Sequence, residues 1–315
     1  MGAFYGVEVR KRGRVVLWNP CDKHREKAVP SAGNDTSQLK GLLEGLYIAC
    51  NDRKHIGHDP VQFIYKYSAH QDREIAAFFA ACLAYGRVGQ IEKSLTNLFA
   101  RLGRSPFDFV RNFSAAGARK LRDFKYRFTI GRRLADLTWI LRDILTEFGS
   151  IENFFVQGYN PCDENIVPAL SRFCDSLLEA YARSHQGCIS RPLGFLLPRP
   201  ARGSPCKRLN LFLRWMVRCD NIDPGLWGSI DKAKLIIPLD VHLARLTRIL
   251  GFHNQKNTSL RTAVKITECF ARIEPADPVK YDFALCHFAI LANCTGSYRP
   301  QCRTCELFTL CRKKR

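Results

Sequence analysis

From Leu39 onward, apolar residues recur at helical spacing almost without a break. "REIAAFFAACLAYG" runs from Arg73 to Gly86 and is apolar nearly all round, the pattern of a central buried helix, with Asp72 placed as its N-cap. "VGQIEKSLTNLFARLG" follows, with Ile91, Leu95, Leu98, Phe99 and Leu102 on its apolar side and Gly103 as its stop. "LADLTWILRDILTEFG" and "IVPALSRFCDSLLEAYARS" repeat the pattern. Strand-type alternation is confined mainly to "GVEVRKRGRVVLW" near the N-terminus. The pattern predicts an all-α body over residues 38–293, with no internal repeat. Ahead of it, "DKHREKAVPSAGNDTSQ" is polar and rich in turn formers, so residues 1–37 read as an extension or linker.

Two helix starts carry chemistry. In "GSPCKRLNLFLRWMVR", Ser204 suits an N-cap and Pro205 the first helical position. Leu209, Phe212, Leu213 and Met216 form one apolar face, with Lys207, Asn210 and Arg214 on the other side. Lys207 falls in the first turn, where the helix macrodipole disfavours a positive charge and favours the neutral amine. A neutral, partly desolvated lysine is a nucleophile; the plainer reading is a lysine pointing at water. In "IIPLDVHLARLTRILG", Pro238 breaks what precedes and Asp240 is the N-cap of a helix from Val241 to Leu250, ended by Gly251. Most aspartates at such positions only cap. A capping carboxylate with one oxygen free can also face a developing cation. Lys234 is a weaker nucleophile candidate, because it stands only six positions before Asp240 with a proline between, which leaves no room for a hairpin helix.

Charge changes the picture more than composition does. The 315 residues carry a net charge of +20, and a chain this basic usually meets a polyanion. Arg111 to Arg133 holds eight Lys or Arg against one Asp, interleaved with Phe113, Phe124, Tyr126 and Phe128. Such a run is either a solvated basic face or a phosphate-binding one; Arg127, Arg132 and Arg133 are its candidate contacts. No apolar run approaches the roughly 18–20 residues of a transmembrane helix, and the first residues show no stretch of signal-peptide length. The expectation is an intracellular monomer of the cytoplasm or nucleoid, or of the nucleus in a eukaryote, that does not engage membranes.

Fourteen cysteines in such a chain read as reduced thiols, with clustered ones suspected of holding metal. Cys50, Cys82, Cys174, Cys219 and Cys269 are scattered singly and read as small buried apolar residues. Cys294, Cys302, Cys305 and Cys311 are spaced C-x7-C-x2-C-x5-C around the turn-forming stretch "TGSYRPQ". This spacing suits a metal site and does not separate zinc from an iron–sulfur cluster. Cys286 is a spare thiol that could replace Cys294.

The tail "DPVKYDFALCHFAILANCTGSYRPQCRTCELFTLC" resembles the C-terminal iron–sulfur loop of endonuclease III-type DNA glycosylases, down to Pro300 two residues before Cys302. "PLDVHLARLTRILG" resembles that superfamily's segment in which a catalytic Asp opens a helix, and "GSPCKRLN" its helix-hairpin-helix segment with the lysine nucleophile. From about Asp59 the chain also resembles a bacterial-type family filed as domain of unknown function 2400, through "DREIAAFFAACLAYGRVGQI", "KYRFT", "CKRLNLFLRWMVR", "KLIIPLDVHL" and "DPVKYDFALCH". The glycosylase likeness is distant and covers three segments. Its first cysteine interval is seven rather than six, Pro205 stands where that hairpin has Gly, and Lys207 and Asp240 are 33 positions apart, a longer interval than in endonuclease III.

What the resemblance implies is a fold of two helical subdomains with a cleft between them. Lys207 would be the nucleophile and Asp240 the stabilising carboxylate, and a 4Fe–4S cluster would sit on Cys294, Cys302, Cys305 and Cys311. The implied function is a base-excision DNA glycosylase, a hydrolase that becomes a lyase where Lys207 closes a Schiff base. Gly203, Asn210, Arg299 and Arg303 join the arginines above as candidate contacts to duplex DNA. The rival class is a non-catalytic nucleic-acid-binding iron–sulfur protein on the same fold, and charge does not separate DNA from RNA.

Overall fold

The computed structural model describes residues 10–11, 14–15, 35–184 and 191–312. Most of the expected extension, residues 1–37, lies outside them, as do Lys313, Lys314 and Arg315 of the basic tail. The first helix, α1, already begins at Asp35 and runs to Cys50. Thirteen α-helices among the described residues make the protein all-α; its strands are two short antiparallel hairpins. The first pairs β1 (Arg10–Lys11) with β2 (Arg14–Val15), in the segment that alternates. The second pairs β3 (Lys125–Tyr126) with β4 (Thr129–Ile130), inside the basic run. Its two-residue turn starts at Arg127, whose φ of +47° has the sign that primed hairpin turns require.

The central helix is α2 (His70–Cys82), buried from Glu74 to Cys82 as its unbroken apolar run requires. It starts earlier than Asp72 predicts, with Ala69 at the N-cap and no side-chain cap bond. The Asp72 carboxylate instead accepts from Ser105 Oγ at 2.7 Å and from the Phe107 N–H at 2.9 Å. It thereby satisfies the start of α4 (Pro106–Arg111) rather than its own helix. Glu74, 1% exposed, accepts from the N–H groups of Ile151 and Glu152 and from Trp227 Nε1 at 2.8–3.0 Å. This carboxylate therefore ties α2 to the start of α7 (Ile151–Val156).

α4 packs on α2 and on α6 (Gly131–Phe148), and α3 (Val88–Leu102), α5 (Ala115–Leu121), α7, α8 (Val167–Ser184) and α9 (Arg191–Leu196) join this group through α4, α6 or one another. A second group joins α1 and α11 (Val241–Ile249) to α13 (Asp282–Leu291), with α12 (Leu260–Ala271) nearby in sequence. α10 (Lys207–Val217) packs on α2 and connects the two, so one apolar core runs through both groups. α10 is buried on every side, not only on its apolar face, since Arg208, Asn210 and Arg214 are 9%, 2% and 3% exposed. No described helix is long and apolar enough to cross a membrane.

Candidate functional site

α10 begins two residues later than the Ser204–Pro205 signal predicts. Cys206 is its N-cap, in the left-handed region at φ +46°, a conformation non-glycine residues rarely adopt. Lys207 is therefore the first helical residue. Behind it the turn is tied together: the Cys206 N–H reaches Ser204 Oγ at 3.3 Å, and Asn210 Nδ2 donates to the Pro205 carbonyl at 2.9 Å. Gly203 is exposed, adopts φ +77°, and accepts from the Leu260 N–H at 3.1 Å, which anchors the turn to α12.

Asp240 is the N-cap of α11, as expected. One oxygen accepts from the Leu243 N–H at 2.8 Å, and the backbone is extended at φ −110°. The second oxygen makes no hydrogen bond among the described residues.

The two helix starts converge on α13. Asp282 and Cys286 stand one turn apart there, and both feel the charges of Lys207 and Asp240. Lys207 forms no ion pair within 4.0 Å with Asp240 or any other described carboxylate. Cys286 Sγ lies 3.7 Å from Asp282 Oδ1. Burial pushes the Cys286 thiol well above its ordinary value, and the carboxylates of Asp240 and Asp282 push it further. It stays a protonated weak donor rather than a nucleophile.

Asp282 is 2% exposed and paired with Arg214. Burial pushes its carboxyl up to about 6, against the pull of that guanidinium. Behind them lies a buried charge network. Arg214 also reaches Asp223 at 3.1 Å, and Arg218 binds Asp223, Asp277 at 3.0 Å and Asp220 at 3.1 Å. The network fixes α10 against α13 from the side opposite solvent. His55 and His287 meet edge-on at 4.9 Å between centroids; burial lowers the His287 imidazole below its ordinary value, the His55 charge lowers it further, and Asp59 opposes both.

Lys207 also lines a cleft of about 440 Å³ that opens between α10, the end of α2 and α9. Its walls are Ala84, Tyr85, Phe195, Pro198 and Pro205, with Arg208 set into them. Gly86, at φ +98°, packs under the β3–β4 hairpin, where a Cβ would meet Arg127 at 2.6 Å and the Tyr126 hydroxyl at 2.8 Å. The hairpin tip therefore stands beside the cleft, with Phe128 66% exposed and 5.7 Å from Phe195 between ring centroids.

The basic run sorts itself by exposure. Phe113, Phe124 and Tyr126 are core residues, while Arg111, Arg119, Lys120, Arg122, Lys125, Arg127 and Arg132 face solvent. Arg133 is half-buried and its Nη1 donates to Asp136 at 3.0 Å. Asn210 differs from its expected role, because its amide is buried in the turn it braces. Arg299 and Arg303 are exposed on the C-terminal loop, Arg303 donating to the Tyr298 hydroxyl at 3.1 Å. Lys234 is committed elsewhere, donating to the Asp163 carbonyl at 2.9 Å.

Cys294, Cys302, Cys305 and Cys311 all line one apolar cavity with Leu246, Phe288 and Leu307 among its walls. Burial pushes the Cys305 thiol up, and the other three thiols push it further, so all four are near neighbours. No described group of three or more His, Cys, Asp or Glu is set to hold a metal ion. Cys286 does not line this cavity and belongs to the Lys207 site instead. Among the scattered cysteines Cys50, Cys82, Cys174 and Cys269 are buried thiols as expected, whereas Cys219 is exposed and Cys162 is disulfide-bonded.

A model of the family described as "Protein of unknown function (DUF2400)" matches residues 59–291. The chain belongs to this family. No curated protein and no solved structure matches it. The DUF2400 segment takes in Lys207, Arg208, Asp240, Asp282 and Cys286 and stops before the four clustered cysteines. Of the site residues of this DUF2400 member, the ones sequence reasoning missed are those whose role depends on tertiary contact. Asp282 and Cys286 carried a signal, since their i, i+4 spacing puts both on one helix face. Arg208 carried none, because a charged residue one position past a helix start reads as solvated.

Proposed function

We propose that the protein is a DNA glycosylase of the base-excision type, with lyase activity through a lysine Schiff base. What supports this reading is that Lys207 and Asp240 each stand at a helix start, that the charges of both act on Asp282 and Cys286 of α13, and that no ion pair joins them. A tight salt bridge would hold the amine protonated. Lys207 also lines a cleft of about 440 Å³ that a flipped base could enter. The two helix groups joined by α10 suit the two-subdomain arrangement of the helix-hairpin-helix glycosylases.

In this mechanism the exposed arginines of the β3–β4 region and of the C-terminal loop hold phosphates. Lys207 Nζ in its neutral form attacks the sugar C1′. The C1′–N bond breaks, and the base departs with the bonding pair and takes up a proton. The open oxygen of Asp240 faces the positive charge that builds on the sugar, an electrostatic role requiring no proton transfer. The adduct nitrogen gives up a proton, the C1′–O4′ bond breaks and O4′ takes up a proton as the C4′ hydroxyl, which leaves the Schiff base that lyase chemistry uses.

The four clustered cysteines would hold a 4Fe–4S cluster with a structural role, fixing the loop that carries Arg299 and Arg303. Their common cavity measures about 40 Å³, against roughly 10–15 Å³ for a single water. Its apolar lining and four thiols suit an iron–sulfur cluster. A lone zinc is the competing occupant and would have to draw the four sulfurs onto one tetrahedral centre.

Borohydride trapping across a panel of lesion-bearing and abasic duplexes tests the enzymatic reading. A covalent protein–DNA adduct on at least one substrate is expected. Salt-dependent binding with no adduct on any of them would leave a non-catalytic nucleic-acid binder.

A further inference from the structure

The cleft beside Lys207 contains a charge that no described carboxylate neutralises. Arg208 is 9% exposed. Its Nη1 donates to the Cys82 carbonyl at 2.8 Å and its Nη2 to the Phe195 carbonyl. The guanidinium carbon lies 4.4 Å from the centroid of the Phe195 ring and 5.2 Å from that of Tyr85. No described carboxylate pairs with it within 4.0 Å. Arg214 on the same helix and Arg218 at its C-terminal cap are at least as deeply buried, and each is held by two or more aspartates. Burial pulls the Arg208 guanidinium below its ordinary value, and the groups that oppose this are Cys82, Tyr85 and Cys206, none of them an acid at neutral pH. Buried cations are ordinarily paired. An unpaired one set into the wall of an open cleft is suited to a ligand that brings acceptors.

The rest of the cleft narrows the class of ligand. A guanidinium is donor-only, with five N–H groups in a planar fork, of which two are given to main-chain carbonyls here. The surrounding walls are apolar and partly aromatic, which suits a flat ring more than a phosphate. A purine with O6 and N7 offers two acceptors side by side, the edge that arginine pairs with best, whereas adenine replaces O6 with an amino donor. We infer that the cleft receives an extrahelical purine, and that Arg208 selects those with a 6-carbonyl edge over those that lack it. The inference rests on the glycosylase-type reading for how a base reaches the cleft, and not on any chemistry at Lys207.

The test uses the full chain and four duplexes that differ in one bulged base: guanine, hypoxanthine, adenine or 2-aminopurine. A bulged base is already cheap to extrude. Guanine and hypoxanthine duplexes should bind roughly tenfold or more tighter than the other two. Arg208→Met should erase that preference while binding to a fully paired duplex stays unchanged. Equal affinity of the wild-type protein for all four overturns the inference, whether or not Arg208→Met folds. So does loss of the preference when phosphate replaces chloride at matched ionic strength, which would make the cleft a phosphate site. A guanine preference with no borohydride adduct on any substrate sinks the catalytic reading and leaves this one standing.

Discussion

Single side chains separate the roles that the helix starts combine. Asp240 both caps α11 and leaves one oxygen open, so the two duties can be divided by substitution. Asp240→Asn keeps an oxygen for the Leu243 N–H but removes the charge. Its thermal midpoint should stay within a few degrees of wild type, while single-turnover base release slows by about a hundredfold or more. Release at the wild-type rate would reduce Asp240 to a cap. Arg214 poses the opposite case, because it supports the site without facing it. Arg214→Ala would leave Asp223 and Asp282 buried with fewer counter-charges, and urea titration should show a loss of about 3–5 kcal/mol. The identity of Lys207 as a first-turn residue was legible from its position ahead of the Leu209–Met216 stripe. The left-handed Cys206 that sets where the helix begins was not, because no short-range rule puts a cysteine at positive φ.

Whole elements were legible where packing alone decides them. α2, α3, α6 and α8 follow their apolar periodicity, since each buries a broad apolar face against the others. Boundaries moved where a polar side chain serves a neighbour, as when Asp72 satisfies α4. Glu74 is the clearest instance: its place in an apolar run gave no hint that it tethers α7 and the Trp227 loop. Glu74→Ala would strand three buried donors, and equilibrium unfolding should show destabilisation on the order of 3 kcal/mol or more. The β3–β4 hairpin was missed because two-residue strands carry no alternation to read. The C-terminal loop is the element whose content is most directly measurable. Protein purified without oxygen should be brown with about four irons per chain, as cysteine-ligated clusters are. A colourless protein with one zinc would reject the cluster.

At the scale of the molecule the net charge is +20, and exposure decides which part of it can meet a polyanion. Duplex affinity should fall steeply with salt. Arg127→Ala and Arg132→Ala should each flatten the log–log slope by about 0.9, in proportion to the counterions released. Arg133→Ala should leave the slope alone, because that side chain is paired with Asp136. Charge and helical architecture were readable from the sequence; the pairing of Arg133 with Asp136 and the burial of Asn210 were not. The central claim is that the starts of α10 and α11 present a nucleophilic lysine and a carboxylate to one sugar. Peptide mapping by mass spectrometry of the borohydride-trapped adduct tests it most directly. The adduct should map to Lys207, and Lys207→Ala should lose it while keeping duplex affinity within about threefold of wild type, since one non-phosphate contact carries little of the electrostatic binding. An adduct that maps to another residue, or that persists in Lys207→Ala, would contradict the account.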